Sequence, residues 1–191
     1  MVKVNRLRFL EDAAPNAAKR LLGCYIEREI AGQKLVARIV ETEAYDMADA
    51  ASHSFKGETK RTKVMFGPAG YLYVYFTYGM HYCCNVVVGP EGYGAAVLIR
   101  AVEPIEGSEY MESRRGKTGV LATNGPAKLC QAMDIRLSDN GTDLTKGAIR
   151  LVEQPAIDQN QIITTTRIGI SSAIDTPWRF YLTDNPYVSH R

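Results

Sequence analysis

The stretch YLYVYFTYGMHYCCNVVV, residues 71–88, is predicted to form two β-strands joined by a tight turn. Aromatic and β-branched residues dominate both of its halves, which predicts two β-strands, 71–77 and 82–88. Between them, Gly79 can supply the positive φ of a tight hairpin turn. The turn also carries Tyr78, where small polar residues are usual. Such a ring either packs against another part of the fold or inserts as a wedge into a stacked partner.

The composition is that of one globular domain. The chain has 191 residues, of which 46% are hydrophobic and 23% charged, and this length can bury a full core. No apolar run approaches the ~20 residues that span a bilayer, and the first residues carry charges where a signal peptide is apolar. We therefore expect a cytoplasmic protein that makes no membrane contact. The net charge of +2 is too small to identify a nucleic-acid binder by itself.

The four cysteines do not form a metal-binding pattern. Cys24, Cys83, Cys84 and Cys130 include no C-x-x-C pair. Cys83 and Cys84 are adjacent in a predicted strand, so their side chains point to opposite faces. We therefore expect reduced, buried thiols and no zinc or iron–sulfur centre.

Helical and strand patterns alternate along the rest of the chain. Three helices are predicted at residues 12–22, 106–115 and 125–133. Asp12 and Asn124 are the expected N-caps of the first and third helices. Besides the hairpin, strands are predicted at 24–30, 34–45, 95–102, 149–152, 163–170 and 179–182.

The strand pattern that contains RIVETEAY carries two carboxylates and ends at Tyr45. With a period of two, Glu41, Glu43 and Tyr45 share one face of this strand. The face is either an exposed edge whose charges discourage aggregation, or it holds a carboxylate in a cleft for acid–base work. In the later apolar run AAVLIRAV, Arg100 is the exception, and a buried guanidinium needs an anionic partner or a ligand.

A long loop, residues 46–65, connects this strand to the hairpin. Loops of this length inside a compact domain are usually functional or disordered. The loop contains His53. It also contains a cluster of basic side chains: Lys56, Lys60, Arg61 and Lys63. The cluster either contacts phosphates or forms a solvated surface.

Taken together, these stretches resemble the alkyladenine (3-methyladenine) DNA glycosylase family, in a bacterial-type member. The matching segments occur in the family's order: RIVETEAY (38–45), HS (53–54), MFGPAGYLYVYFTYGMHYCCNV (65–86), VLIRAVEP (97–104), NGPAKLCQAM (124–133), RIGI (167–170) and RFYLTDNPYVS (179–189). They cover nearly the whole chain. The resemblance implies one α+β domain over residues 1–191, with a mostly antiparallel, curved β-sheet, a protruding β-hairpin and flanking α-helices.

The family removes alkylated or deaminated purines from duplex DNA by hydrolysing the N-glycosidic bond. The resemblance therefore implies a monofunctional enzyme of base excision repair that flips the damaged nucleotide out of the duplex. It implies that no metal, no other cofactor and no covalent enzyme intermediate takes part. We expect the partner to be double-stranded DNA containing damaged purines, such as 3-methyladenine or hypoxanthine, bound by a monomer in the nucleoid.

The resemblance also implies a role for each matching residue. Glu43 would be the general base that activates water, and Arg100, with the backbone carbonyl near Ile168, would position that water. Tyr78 would insert where the flipped nucleotide had been stacked. We expect the basic cluster of the 46–65 loop to contact the DNA backbone. Five residues would form the walls of the base pocket: Tyr45, His53, Tyr75, Asn85 and Leu98.

Two other interpretations are open at this level. A non-enzymatic protein that binds damaged DNA would keep the hairpin wedge without releasing a base. A carbohydrate hydrolase could use Glu41 and Glu43, because a Cα spacing of about 6.6–6.8 Å suits an inverting mechanism. The resemblance selects Glu43 as the base and leaves Glu41 a structural role, paired with a basic residue.

Overall fold

In a computed structural model of the chain, residues 7–77 and 79–189 are described. Within them, eight strands form a curled antiparallel sheet that resembles half of a barrel. The strands are β1 (Tyr25–Ile30), β2 (Gln33–Tyr45), β3 (Leu72–Thr77), β4 (His81–Val87), β5 (Ala96–Glu106), β6 (Ile149–Val152), β7 (Ile162–Thr165) and β8 (Arg179–Leu182). The α-helices are α1 (Ala14–Leu21), α2 (Ser108–Arg115) and α3 (Pro126–Ala132). None of the helices in this part of the chain is long and apolar enough to cross a membrane.

The long strand β2 lies at the centre of the sheet. Strand β5 pairs along one of its edges, whereas β1 and β8 share the other, β8 pairing with Glu41, Thr42 and Glu43. The pairing of β2 with β5 shifts register on both sides of Glu41, and such irregularities bend and twist a strand. The two glutamates therefore lie where the sheet curls, between β5 and β8.

Two of the helices cover one face of the sheet, α1 against β2 and α3 against β4 and β5. The buried side chains of α1 follow the spacing expected for one helical face: Ala14, Ala17, Ala18 and Leu21. Thr42 faces this helix and donates from Oγ1 to the carbonyl oxygen of Ala18 at 3.0 Å. Because side chains alternate along a strand, Glu41 and Glu43 lie on the opposite face, as the period of two predicts.

The hairpin formed by β3 and β4 is regular over the described residues. Leu72 pairs with Val86 at its base and Thr77 pairs with His81 near its tip. Gly79 has a φ of 68°, the left-handed conformation that a tight turn requires of glycine. Tyr78, the predicted wedge, lies outside the described residues. The predicted fold class, an α+β domain with a curved antiparallel sheet, a hairpin and flanking helices, is confirmed.

Three local predictions were wrong. Asp12 and Asn124 are not N-caps, because Ala13 and Gly125 occupy those positions and neither helix has a side-chain cap. Each helix is instead held by packing of its buried face against the sheet. The predicted strand 163–170 is too long, since β7 ends at Thr165 and the following residues form an irregular segment.

Candidate active site

An open cavity of about 480 Å³ lies on the face of β2 that does not contact α1. This volume falls within the range that is usual for small-ligand sites. Side chains of β2, β3, β4 and β5 line it, together with parts of the loop after β2 and of the segment 168–172. Among the described residues that line it, the charged ones are Glu43, Arg61 and Arg100.

Glu43 borders this cavity from a fully buried position, with 0% of its surface exposed. The hydroxyl of Tyr45 donates to Glu43 Oε2 at 2.8 Å, and the backbone N–H of Ile168 donates to Oε1 at 2.8 Å. Arg100 Nη1 lies 3.2 Å from Oε1. A carboxylate has about four acceptor positions, so these three contacts orient the group and leave one position for a further donor.

Glu41, two residues earlier on the same strand face, has a different environment. It is also fully buried, but it is not among the residues that line the cavity. Its Oε1 accepts from Arg100 Nε at 3.1 Å, Arg179 Nε at 2.7 Å and Ser189 Oγ at 3.0 Å. Its Oε2 accepts from the Ser189 N–H at 2.7 Å. Protein groups thus fill its acceptor positions, which confirms the expected pairing with basic residues and argues against a two-carboxylate sugar hydrolase.

Arg100 joins the two carboxylates, through Nε to Glu41 and through Nη1 to Glu43. Burial by itself lowers the pKa of Arg100, but the carboxylates of Glu43 and Glu41 raise it by more, so the net pKa lies above its usual value. The guanidinium therefore stays charged. Arg179 also contacts Glu41, so this network beside the cavity pairs two carboxylates with two guanidinium groups.

Aromatic rings form one wall of the cavity. The His53 ring meets the Tyr75 ring edge to face at a centroid distance of 4.6 Å, and the Tyr73 and Tyr75 centroids are 5.7 Å apart. His53 Nδ1 lies 3.1 Å from the hydroxyl of Tyr73. Flat surfaces of this kind can stack a planar base. Tyr73 is a further wall residue that was not predicted, although the period of two places it on the same strand face as Tyr75.

Strands β4 and β5 each contribute one predicted pocket residue, the first a polar side chain and the second an apolar one. Asn85 on β4 and Leu98 on β5 are paired in register, and each is 4% exposed. Asn85 Nδ2 donates to the carbonyl oxygen of Tyr73 at 3.1 Å. This bond fixes the orientation of the Asn85 amide. Asn85 and Leu98 line the same cavity as the three aromatic residues of the predicted pocket.

Buried hydroxyl and thiol groups around the cavity stay protonated. Burial, followed by the charge of Glu43, raises the pKa of Tyr45 far above its usual value, and burial raises that of Tyr75 likewise. Burial also raises the pKa of Cys83 to about 11. Cys83 lines the cavity while Cys84 is in the core, as their adjacency predicts. In the part of the chain that the structure describes, no three His, Cys, Asp or Glu side chains could hold a metal ion together.

His53 sits at the mouth of the cavity, exposed on one side and packed against tyrosines on the other. Loss of hydration, with the charge of Arg61 as second cause, lowers the pKa of His53 from 6.5 to about 4. Water at the exposed side moves the pKa back toward 6.5, but either value leaves the ring neutral at pH 7.5. A neutral ring can form hydrogen bonds, but it carries no imidazolium proton to give to a leaving base.

The lowered pKa of His53 predicts a pH-dependent contribution to stability. Between pH 4 and 6.5 the unfolded chain binds more protons at this residue than the folded protein does, so the free energy of unfolding falls as the pH falls through this window. We expect His53→Asn to lose less stability than the wild type between pH 7.5 and pH 5 in urea unfolding. Identical losses in the two proteins would contradict this assignment.

The loop after β2 is tied to the rest of the site by a buried ion pair. Arg167 contacts both carboxylate oxygens of Asp49 and donates from Nη1 to the carbonyl oxygen of Ala44 at 2.9 Å. Its guanidinium also lies 4.8 Å from the ring centroid of Tyr45. Since Ile168 follows it directly, Arg167 positions the N–H that holds Glu43. The RIGI segment was part of the family resemblance, but no sequence signal indicates Asp49, because Arg167 and Asp49 are 118 residues apart in the chain.

The members of the predicted basic cluster do not share one position. Lys56, Lys60, Arg61 and Lys63 are all exposed. Only Arg61, among these four, lines the cavity, and its guanidinium carbon lies 5.5 Å from the ring centroid of Tyr75. The three lysines lie on the outer surface of the loop.

Comparison with known proteins agrees with the resemblance in the sequence. The family model for methylpurine-DNA glycosylase (MPG) matches residues 8–186. A protein of Carboxydothermus hydrogenoformans is 51% identical over 91% of this chain and 92% of its own length. Proteins of Methanoculleus marisnigri and Francisella tularensis subsp. tularensis are each 47% identical, over 96% and 92% of this chain and 97% and 93% of their own lengths. All three relatives carry the provisional name 3-methyladenine DNA glycosylase.

These matches extend over almost all of the described fold and include every element that contributes to the cavity. A hydrolase of N-glycosyl bonds in DNA needs a pocket for an extruded base and a group that activates water. The aromatic wall and the buried carboxylate fit those two requirements. This chain belongs to the methylpurine-DNA glycosylase family, as the resemblance predicted.

Proposed function

We propose that the protein releases alkylated and deaminated purines from duplex DNA, using Glu43 to activate the attacking water. Family membership supports the DNA glycosylase activity. One observation carries the mechanism: a buried carboxylate, held by Tyr45, Ile168 and Arg100, stands at the wall of an aromatic cavity. The substrate is double-stranded DNA with a damaged purine, and one copy of the chain contains the whole cavity, so we propose that a monomer acts.

The cavity receives the extruded base. Flipping a nucleotide out of the stack costs a few kcal/mol, least for damaged or mispaired bases. Stacking against aromatic side chains returns roughly 1–3 kcal/mol per base, and Tyr45, His53 and Tyr75 are the proposed stacking surfaces. Asn85 and Leu98 would limit the shape of the accepted base. Tyr78 follows β3 in the sequence and is proposed, from the family resemblance, to fill the gap in the duplex.

Cleavage passes through an oxocarbenium-like state at the sugar. In the proposed step, water forms a bond to C1′ and gives its proton to Glu43, while the C1′–N bond breaks and its electron pair stays on the base. The anionic carboxylate also stabilises the positive charge that develops on the sugar. Because Glu43 has no exposed surface, the side chains of the cavity wall must shift as the nucleotide enters so that water reaches the carboxylate. Arg100 keeps the carboxylate oriented during this movement.

The charge of the damaged base decides whether its departure needs a proton or hydrogen bonds. A quaternised alkylpurine leaves as a neutral molecule once it takes the glycosidic electrons. A neutral lesion such as hypoxanthine leaves as an anion unless hydrogen bonds or a proton stabilise it. His53, which is neutral at pH 7.5, would supply a hydrogen bond in this role. Among the described residues that line the cavity there is no lysine, which supports a monofunctional enzyme that leaves the DNA strand intact.

A panel of duplexes tests this proposal. Matched duplexes carry one hypoxanthine, 1,N6-ethenoadenine, 7-methylguanine or normal guanine, and release of the free base is measured in EDTA. We expect release from at least one damaged duplex, none from the normal one, and an abasic strand that breaks only after hot alkali. Tight binding without release from any lesion would support the non-enzymatic interpretation instead. Strand cleavage without alkali would contradict the monofunctional mechanism.

A further inference from the structure

Arg61 differs from the other basic residues of its loop. Its side chain lines the cavity, and its guanidinium lies 5.5 Å from the ring centroid of Tyr75, one of the proposed stacking surfaces. Its charge also affects two other wall residues. Burial lowers the pKa of His53, and the charge of Arg61 lowers it further. Burial raises the pKa of Tyr73, and Arg61 opposes that rise. The side chain therefore acts on the space where a base would bind.

The charge of Arg61 is not compensated within the cavity. Glu43 and Arg100 are the other charged residues that line it, and they neutralise each other within the ion-pair network that includes Glu41. In the described part of the chain no carboxylate forms a salt bridge with Arg61. The neutral His53 adds no charge at pH 7.5. The cavity thus carries one excess positive charge beside its aromatic wall.

We propose that Arg61 sets the charge preference of the base pocket, disfavouring cationic alkylpurines relative to neutral damaged purines. This inference rests on the proposed function. A cationic base stacked on Tyr75 would lie close to a second cation on the same ring, and like charges repel. A neutral purine escapes this repulsion, and the acceptor atoms on its edge can receive charge-assisted hydrogen bonds from a guanidinium.

The preference fits the chemistry of the two lesion classes. A quaternised purine is already a good leaving group, so a modest penalty on its binding leaves its release feasible. A neutral purine needs its departing negative charge stabilised, and a cation beside the ring does so more in the transition state than in the ground state. Arg61 therefore favours the substrates that need catalysis most.

Two duplexes of the same sequence test the proposal, one containing cationic 7-methylguanine and the other neutral hypoxanthine. Single-turnover base release is measured for the wild type, Arg61→Gln, Arg61→Lys and Lys63→Gln. We expect Arg61→Gln to raise the rate ratio of 7-methylguanine to hypoxanthine roughly three- to tenfold, the effect of one partly screened charge. Arg61→Lys keeps the charge and should keep the ratio close to that of the wild type. Lys63→Gln, the matched loop control, should slow both reactions alike and lower the salt slope of binding by about one unit.

The outcomes separate this inference from the proposed function. If the wild type releases both bases and Arg61→Gln leaves the ratio unchanged, the inference fails and the proposed function stands. If Arg61→Gln slows both reactions equally and lowers the salt slope, Arg61 is a phosphate contact and the inference is again wrong. If the wild type releases neither these bases nor the others of the panel, the proposed function itself fails, and the inference fails with it.

Discussion

Replacement of Glu43 by glutamine is expected to lower base release by roughly 10²–10⁴-fold, the usual contribution of a general base. The amide has nearly the shape of the carboxylate, but it cannot take a proton from water and carries no charge to stabilise the oxocarbenium-like state. Release from a duplex containing hypoxanthine, measured with enzyme in excess, gives the rate. Affinity for the same duplex should stay close to that of the wild type, since the cavity walls are unchanged.

The stability of Glu43→Gln serves as the control. Arg100 keeps its bond to Glu41 in this variant, so no buried cation is left without a partner. We expect a Tm within a few degrees of the wild type, because about 1 kcal/mol corresponds to 2–4 °C for a chain of this size. A variant that folds and still releases the base at the wild-type rate would show that Glu43 is not the base.

Replacement of Glu41 by glutamine is expected to act mainly on stability. The amide removes the anion between Arg100 and Arg179 and places an NH₂ group next to the N–H donors that the carboxylate had accepted from. Breaking a buried ion pair by removing one partner typically costs about 3–5 kcal/mol. This is a large part of the roughly 5–15 kcal/mol that holds a domain folded. Urea unfolding at pH 7.5 measures the loss, which corresponds to a fall in Tm of roughly 6–20 °C.

The two glutamine variants control each other, because they make the same chemical change two residues apart. We expect Glu41→Gln to retain base release per folded molecule to a far greater extent than Glu43→Gln does. The reverse pattern, a stable but inactive Glu41→Gln beside an unstable but active Glu43→Gln, would exchange the roles of the two carboxylates. Equal losses of activity and stability in both variants would contradict the assignment of Glu43 as the base and of Glu41 as the centre of the buried ion pairs.

Local sequence patterns predicted the strands and the faces on which their side chains lie. The alternation of RIVETEAY placed Glu43 and Tyr45 on one strand face, and the aromatic and β-branched halves around Gly79 marked the hairpin strands closely. The wrong caps arose where tertiary packing replaced a local signal, since α1 and α3 are held by their buried faces. In the irregular segment after β7, the β-branched residues continue to Ile168 and Ile170 and so predict strand, and nothing local shows that Asp49 binds Arg167.

Periodicity alone determined that two carboxylates share a face, and the family resemblance determined which kind of enzyme the chain encodes. It was the tertiary structure that gave the two carboxylates different environments. Glu41 is bound by Arg100, Arg179 and Ser189, which lie 59, 138 and 148 residues away in the chain, whereas Glu43 lies at the cavity wall. The same holds for Arg61, which in the sequence is one of four basic residues but in the fold lies beside Tyr75. Residues of one type differ in role here because burial and partners depend on segments brought together only by folding.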